Sequence, residues 1–408
     1  MSAEFRIGVV GLGGRGMGHV HGILTERDDT VITAVCDVYE DRMQNAAKVC
    51  KDKKGWDVAC VADYRELCAR DDVDVVCVFS AWENHVPACI CAMNNGKQVC
   101  TEVGGAYSID DCWELVHAYE RTGIHCMMLE NCCYDRNEMM VMNMVRQGLF
   151  GKIVHCDGGY QHDLRHEIAF GEENRHYRLR NYMNRNCENY PTHELGPIAK
   201  ILDINRGNRM VKLTSMASGA WGLNEFANID EKVNPELKSY RFRQGDVVKT
   251  NILCAHGETI SLTLDTTLPR YYSRNFTVRG TKGFFGETEQ MVWLDSDHGA
   301  EWDHSGFNNL DKFRPEWEHP VWKHFFEEGV KGGHGGMDWL VFDAYFTSLR
   351  EGQVPPIDTF DTAAWMAITP LSELSIANGS APVDIPDFTR GAWTNRTDKF
   401  TGFYQIDR

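Results

Sequence analysis

The sequence predicts an α/β protein joined to an α+β part: an N-terminal Rossmann doubly wound parallel sheet, then a C-terminal domain with a large open, mostly antiparallel sheet. Three observations carry that expectation. Residues 5 to 37, FRIGVVGLGGRGMGHVHGILTERDDTVITAVCD, run strand, glycine turn, helix, strand. Apolar runs then alternate with helical patterns up to residue 130, as buried parallel strands do. Past residue 150 the strands lengthen, with several alternating stretches, in KIVHCDGGYQHD, MVKLTSMAS, VVKTNILCAH, ETISLTLDTT and NFTVRG. That pattern belongs to a sheet covered on one face and open on the other.

The first turn spells G-x-G-x-x-G in Gly11, Leu12, Gly13, Gly14, Arg15 and Gly16. Gly11 permits the tight turn, Gly13 lets the backbone approach a pyrophosphate, and Gly16 lets helix and strand pack closely. The helix N-terminus offers N–H groups to the anion. Asp37 follows Gly16 by 21 positions and ends the second strand, where a carboxylate accepts from a ribose 2′-hydroxyl and repels a 2′-phosphate. NAD is therefore the expected cofactor. The other parallel strands are DVDVVCVFS (72–80), KQVCTE (97–102) and HCMMLE (125–130), with helices near 84–95 and from Ser108. Ligands bind beyond the carboxyl ends of such strands. The residues there are Ser80 with Ala81, Trp82, Glu83, Asn84 and His85, then Glu102 to Ala106, then Glu130 to Tyr134.

The expected division is a dinucleotide-binding domain over 1–130, a substrate-binding α+β domain over 131–385, and a tail over 386–408, with the active site in the cleft between the domains. Helical patterns in the second part cover 192–204, about 319–330, 338–350 and 360–378. In NYPTHELGPIAK, a helix N-capped by Thr192 puts Leu195, Ile198, Ala199 and Leu202 on one apolar stripe and turns His193 away from it. Pro197 points instead to a later start, leaving 190–196 as a loop.

Forty-two basic and fifty-nine acidic residues give a net charge of −17, which repels a phosphate backbone and anionic lipid. Neither nucleic acid nor membrane is an expected partner. The chain opens MSAEFRIGVVG, entering a strand without a signal-peptide pattern. Fourteen of its fifteen cysteines lie in the first 187 residues, often in strand-like runs. That suits reduced thiols in a cytoplasmic protein. Cys89/Cys91 and Cys132/Cys133 lack C-x-x-C spacing, so no metal is expected. The open sheet face is read as a hydrophobic surface for a homo-oligomer, a dimer or tetramer.

With this order of elements the chain resembles the Gfo/Idh/MocA oxidoreductase family over nearly its whole length. Dehydrogenases of that family carry E-K-P and D-x-x-x-H motifs whose lysine, aspartate and histidine relay a proton. Here Val103 stands at the lysine and Asn189 at the aspartate. The stretches EVGGA, LENCCY, GGYQHDLR, YPTHELGP, PRYYSR and GGHGGMD resemble the NAD-dependent glycoside hydrolase branch, glycosyl hydrolase family 109, typified by α-N-acetylgalactosaminidases.

That resemblance implies cofactor contacts at Ala81 to Asn84, Glu102, Val103 and Asn131, beside those of the glycine turn, Asp37 and His85. It implies sugar contacts at Tyr160, Arg178, Tyr190, Pro191, Thr192, His193 and Tyr272, with Arg175 and Arg180 as neighbours that a shifted match would select. His193, Tyr134 and Tyr272 match the positions assigned to chemistry. The implied reaction on an α-linked hexoside such as GalNAc is transient oxidation at C3, C1–C2 elimination, water addition and re-reduction. Histidine suits the proton work near neutral pH, and a tyrosine acting there needs its pKa lowered by a positive charge such as Arg270, Arg274 or the nicotinamide.

Each position also has a plainer reading. Tyr134 is a core tyrosine, Tyr271 and Tyr272 are a strand pair, Trp82 is packing, His85 belongs to the following helix, and Glu102 caps a helix. His334 and Asp338 of GGHGGMD shape a loop and cap the next helix. The alternative functions are an NAD-dependent sugar or cyclitol dehydrogenase and a non-catalytic nucleotide sensor. A two-carboxylate glycosidase leaves the nucleotide fold without a purpose.

Overall fold

The apolar runs of the N-terminal part become six parallel strands: β1 (Phe5–Val10), β2 (Thr30–Cys36), β3 (Ala59–Val61), β4 (Val75–Val78), β5 (Gln98–Thr101) and β6 (Cys126–Met128). This computed structural model describes residues 5–296 and 306–407; positions 1–4, 297–305 and 408 of the expected domains lie outside the described residues. The strand order is β3-β2-β1-β4-β5-β6, that of a doubly wound dinucleotide fold. Helices α1 (Gly14–His19, continuing as a wider π-turn over Val20–Leu24), α2 (Glu40–Lys54), α3 (Tyr64–Cys68), α4 (Trp82–Asn94) and α5 (Ile109–Thr122) connect the strands. The cap of α5 is a reciprocal pair: the Ser108 side chain accepts from the Asp111 N–H, and the Asp111 side chain accepts from the Ser108 N–H. Glu102 therefore does not cap that helix.

The chain forms two units whose boundaries depart from the expected linear division. The first comprises Met1–Asn131, Gly329–Ala363 and Asp398–Gln405; the second comprises Cys132–Glu328, Ala364–Thr397 and Ile406–Arg408. The return of the chain to the first unit has a physical reason. β6 is an edge strand with N–H groups to satisfy, and Cys126 and Met128 donate theirs to the hydroxyls of Thr359 (2.9 Å) and Thr362 (3.2 Å). In the second unit, buried Lys200 holds Asp407 at 2.8 Å.

The second unit is built on eight strands: β7 (Ile153–Gln161), β8 (Met210–Ala217), β9 (Val247–Cys254), β10 (Thr259–Asp265), β11 (Thr277–Gly280), β12 (Gly283–Gly286), β13 (Met291–Leu294) and β14 (Val383–Asp384). Their order is β13-β12-β11-β7-β10-β9-β8-β14, antiparallel throughout except for the β7–β10 pair. The expected sheet is present, extended by the short strands β12 to β14 that its apolar pattern had not marked.

Strand β9 alternates buried and exposed residues along its length. Its outward side chains Lys249 and Asn251 bond to Thr263 (2.6 Å) and Ser261 (2.7 Å) of β10. Val154 of β7, Met216 of β8 and Leu253 of β9 are the exposed large apolar residues of these strands. Four helices lead through the first half of this unit: α6 (Arg136–Arg146), α7 (Arg165–Ala169), α8 (Arg178–Asn184) and α9 (Thr192–Ile201). Helix α9 lies against β7 on the covered side. A Cβ on Gly158 of β7 would come within 2.4 Å of the Glu194 Cβ, so glycine in GGYQHD is what lets the helix approach.

Candidate functional site

In the first unit the glycine turn is shaped as the motif requires. Gly11 has φ +94°, and a Cβ there would lie 2.5 Å from the Ser80 nitrogen; L-residues rarely adopt that conformation. A Cβ on Gly16 would stand 2.1 Å from the Gly11 carbonyl oxygen. Gly14 is exposed and a Cβ there would meet nothing within 4 Å, while one on Gly13 would meet only Arg42 Nη1 at 3.8 Å. The turn thus leaves an open backbone cradle ahead of α1 that fits a dinucleotide's phosphates. Asp37 accepts from the Leu12 N–H at 2.7 Å and the Tyr39 N–H at 3.0 Å. It braces the turn at the end of β2.

The residues beyond β4 are less uniform than expected. Trp82 is buried, and its ring occupies the space a Cβ on Gly104 would need, 2.4 Å from Cδ1. His85 is buried too, with Nε2 bonded to the Ser80 carbonyl at 2.9 Å. Trp82 thus packs on Gly104, and His85, within α4, bonds back to the β4–α4 turn. Ala81 and Glu83 are half-buried and Asn84 is exposed at the start of α4, while Val103 and Asn131 are buried after β5 and β6.

Glu102, beyond β5, accepts from Arg15 Nε and from His19 Nε2, each at 2.7 Å. Burial would raise its carboxyl, but Arg15 and His19 outweigh that and bring it down to about 2. Burial lowers His19, so its imidazole is a neutral donor near pH 7.

Asp338 was read from the sequence as a helix cap, and it has another role. The helix Met337–Arg350 has Gly336 at its N-cap and no side-chain cap bond. The Asp338 carboxylate instead receives both Arg15 Nη atoms (2.7 and 2.8 Å), Asn131 Nδ2 (2.7 Å) and His334 Nδ1 (2.8 Å). Burial raises it, and His334 with Arg15 hold it well below the carboxylate range. GGHGGMD is thereby part of the same site as the glycine turn, 323 positions away at Arg15.

In the second unit the structure gathers the expected sugar-binding residues. Helix α9 begins at Thr192 with Pro191, not Thr192, at its N-cap. Nine of its ten residues are buried and His193 alone is partly exposed. Pro197 lies inside the helix and has no N–H to donate to the His193 carbonyl. The His193 ring meets Tyr160 at 5.4 Å and Tyr190 at 4.8 Å between centroids, both edge-on. Tyr160 and Tyr190 lie 4.3 Å apart, and the Arg178 guanidinium is over both rings at 5.8 and 5.1 Å. Arg178 is thus the arginine of this cluster.

Tyr272, on an exposed stretch, reaches Tyr160 at 6.4 Å. His162, which the sequence reading passed over, meets Tyr272 at 5.2 Å; its signal was the two-residue spacing from Tyr160, which puts both side chains on one face. Tyr134 is fully buried, its carbonyl accepting from Trp322, as the core reading had it.

Burial outweighs the lowering expected of nearby positive charge, which Arg274 exerts on Tyr272 and Arg178 on Tyr160. Desolvation raises both Tyr272 and Tyr160 above the ordinary phenol value. The arginines are engaged with carboxylates: Arg270 with Asp265 at 2.7 Å, and buried Arg274 with Asp135 (3.0 Å), Glu138 (2.8 Å) and Glu194 (3.2 Å). Those acids neighbour the candidates Tyr134 and His193 in sequence, so one guanidinium ties together the segments that carry them. Around this one cation burial raises Glu138 strongly, while Asp135, which burial also would raise, is brought to about 2 chiefly by Arg274.

Glu188, just ahead of Tyr190, is fully buried, and burial pushes its carboxyl up to about 8. A carboxyl raised from 4.5 stabilises the fold below pH 4.5 and loses that contribution as pH rises to about 8. Glu188→Gln should therefore match the parent's melting temperature at pH 4 and exceed it at pH 8.5. Parallel melting curves at the two pH values would contradict this.

Residues 5–129 match the sequence model described as oxidoreductase family, NAD-binding Rossmann fold, and residues 134–395 match that of glycosyl hydrolase 109, C-terminal domain. A glycosyl hydrolase family 109 protein of Solibacter usitatus is 41% identical, covering 96% of this chain and 90% of its own. An alpha-N-acetylgalactosaminidase of Tannerella forsythia is 36% identical over 97% and 88%. Among solved structures, myo-inositol 2-dehydrogenase of Lactobacillus plantarum superposes with a TM-score of 0.65 at 15% identity, covering 94% of this chain and 99% of its own. The WlbA dehydrogenase of Bordetella pertussis, in complex with NADH and UDP-GlcNAcA, does so at 0.64 and 15%, covering 95% and 99%. These last two share the fold.

Proposed function

Given that the chain belongs to the glycosyl hydrolase 109 family, we propose that it is an NAD-dependent α-N-acetylgalactosaminidase-type glycosidase that ends each cycle without net oxidation. The observation that carries this is the proton machinery. Of the lysine, aspartate and histidine that a sugar dehydrogenase of this fold would use, only His193 stands; Val103 and Asn189 are buried and uncharged. Net oxidation of an alcohol needs a route that carries its proton away, whereas a cycle that returns hydride and proton needs none.

Gly11 to Gly16, Asp37, Glu102 and Asn131 would hold the cofactor, with Asp37 selecting NAD over NADP. When bound, NAD supplies a reversible hydride acceptor for sugar C3. The tyrosines Tyr160 and Tyr190 offer ring faces to the sugar, and Arg178 offers donors to its polar substituents. His193, open on an otherwise buried helix, takes the proton from O3 or C2. The C3 ketone acidifies C2, so loss of the C2 proton expels the glycosidic oxygen from C1. Tyr272, a phenol protonated at neutral pH, donates to that leaving oxygen. Water then adds at C1 and C2 regains a proton; O3 regains its proton from His193 as C3 is reduced by the hydride that the bound cofactor would give back.

No disulfide joins any of the fifteen cysteines, which supports a reducing, cytoplasmic setting. Among the described residues no helix is long and apolar enough to cross a membrane. The test is a nitrophenyl α-N-acetylgalactosaminide: phenol should appear with no net NADH. Stoichiometric NADH with intact glycoside would instead establish a dehydrogenase.

A further inference from the structure

The Asp338 cluster adds a charge to the cofactor site that the proton chemistry does not use. Asp338 binds Arg15 of the glycine turn and Asn131 beyond β6, and Arg15 in turn binds Glu102 beyond β5. His19, bonded to Glu102, is neutral near pH 7 because burial lowers it. With the His334 imidazole neutral beside Arg15 Nη1 (3.1 Å) and Asp338 (2.8 Å), two ionised carboxylates face one guanidinium and the cluster carries one surplus negative charge. It lies by the β5–β6 half of the sheet, and β2, with Asp37 at its end, lies in the other half. In a doubly wound sheet the half that bears the ribose-binding acid takes the adenosine end, which leaves the nicotinamide end to the β5–β6 half.

We propose that Asp338 sets the oxidation state this site prefers, holding the dinucleotide with a cationic, oxidised nicotinamide more tightly than its neutral, reduced form. The proposal rests on the reading that the first unit binds NAD. A surplus negative charge attracts a positive ring and gains little from a neutral one. An enzyme that opens every turnover by removing hydride must rest in the oxidised state, and this cluster provides the bias. His334 contributes through its bond to Asp338, on the exposed side of the cluster.

The experiment exchanges the purified holoprotein against an equimolar mixture of NAD⁺ and NADH, removes free nucleotide by gel filtration, and measures both forms after denaturation. The parent should retain mainly NAD⁺. Asp338→Asn should shift the bound ratio toward NADH about tenfold. Asp338→Glu, which keeps the charge, should return the parental ratio. Equal retention of the two forms by the parent, or the same ratio in the parent and Asp338→Asn, would overturn the proposal. Should Asp338→Asn hold no nucleotide, Asp338→Glu decides: the parental ratio supports the proposal and a ratio shifted to NADH overturns it. A parent that retains neither form would contradict NAD binding itself, a different outcome from an unbiased ratio.

Discussion

Replacing His193 with asparagine is expected to lower kcat by about 10³-fold, within the range that loss of a general acid–base group produces. The side chain is the one opening on helix α9, edge-on to Tyr160 and Tyr190. Its substitution leaves the buried stripe of the helix and the Glu194–Arg274 contact untouched. Melting temperature and copurified nucleotide should therefore stay at parental values while turnover collapses. The check is a parallel measurement of kcat, KM and bound nucleotide. A folded, nucleotide-bearing variant with parental kcat would remove His193 from the chemistry.

The second large effect belongs to the glycine turn. Gly16→Ala should cut bound nucleotide at least about tenfold and take activity down with it, because the contact at 2.1 Å is with the backbone carbonyl of Gly11, which cannot rotate aside as a flexible side chain can. The two arms of the turn must separate, and the backbone cradle opens. Gly18→Ala is the matched control: a Cβ there meets nothing within 4 Å, and alanine in a helix is favoured over glycine by roughly 0.5–1 kcal/mol. That variant should keep its nucleotide. Nucleotide released on denaturation, quantified by absorbance for both variants, checks the pair; equal content would show that the close approach at Gly16 is dispensable.

What could be read from the chain follows physical range. G-x-G-x-x-G, Asp37 and the continuous apolar strands are local signals, and each names its own backbone geometry. The candidate sugar-site residues Tyr160, Tyr190 and His193 stand in short motifs at the end of β7 and around the start of α9, whereas His162, just past β7, was passed over although its two-residue spacing from Tyr160 was there to read. Asp338 escaped because its partners Arg15 and Asn131 lie 323 and 207 positions away; within GGHGGMD alone an aspartate after glycines resembles a helix cap. The return of residues 329–363 to the first unit was hidden for the same reason, since hydroxyls of Thr359 and Thr362 serving an edge strand leave no periodic trace. The rise of the Tyr272 pKa was not legible because desolvation, its largest cause, depends on how the folded chain encloses the phenol and outweighs the lowering by Arg274.

The claim that hydrolysis proceeds through oxidation and elimination is tested most directly by running the reaction in D₂O and examining the released sugar by NMR. The account predicts deuterium at C2 of the product, protium retained at C3, and no accumulated NADH. Product formed at the ordinary rate with protium alone at C2 would contradict it.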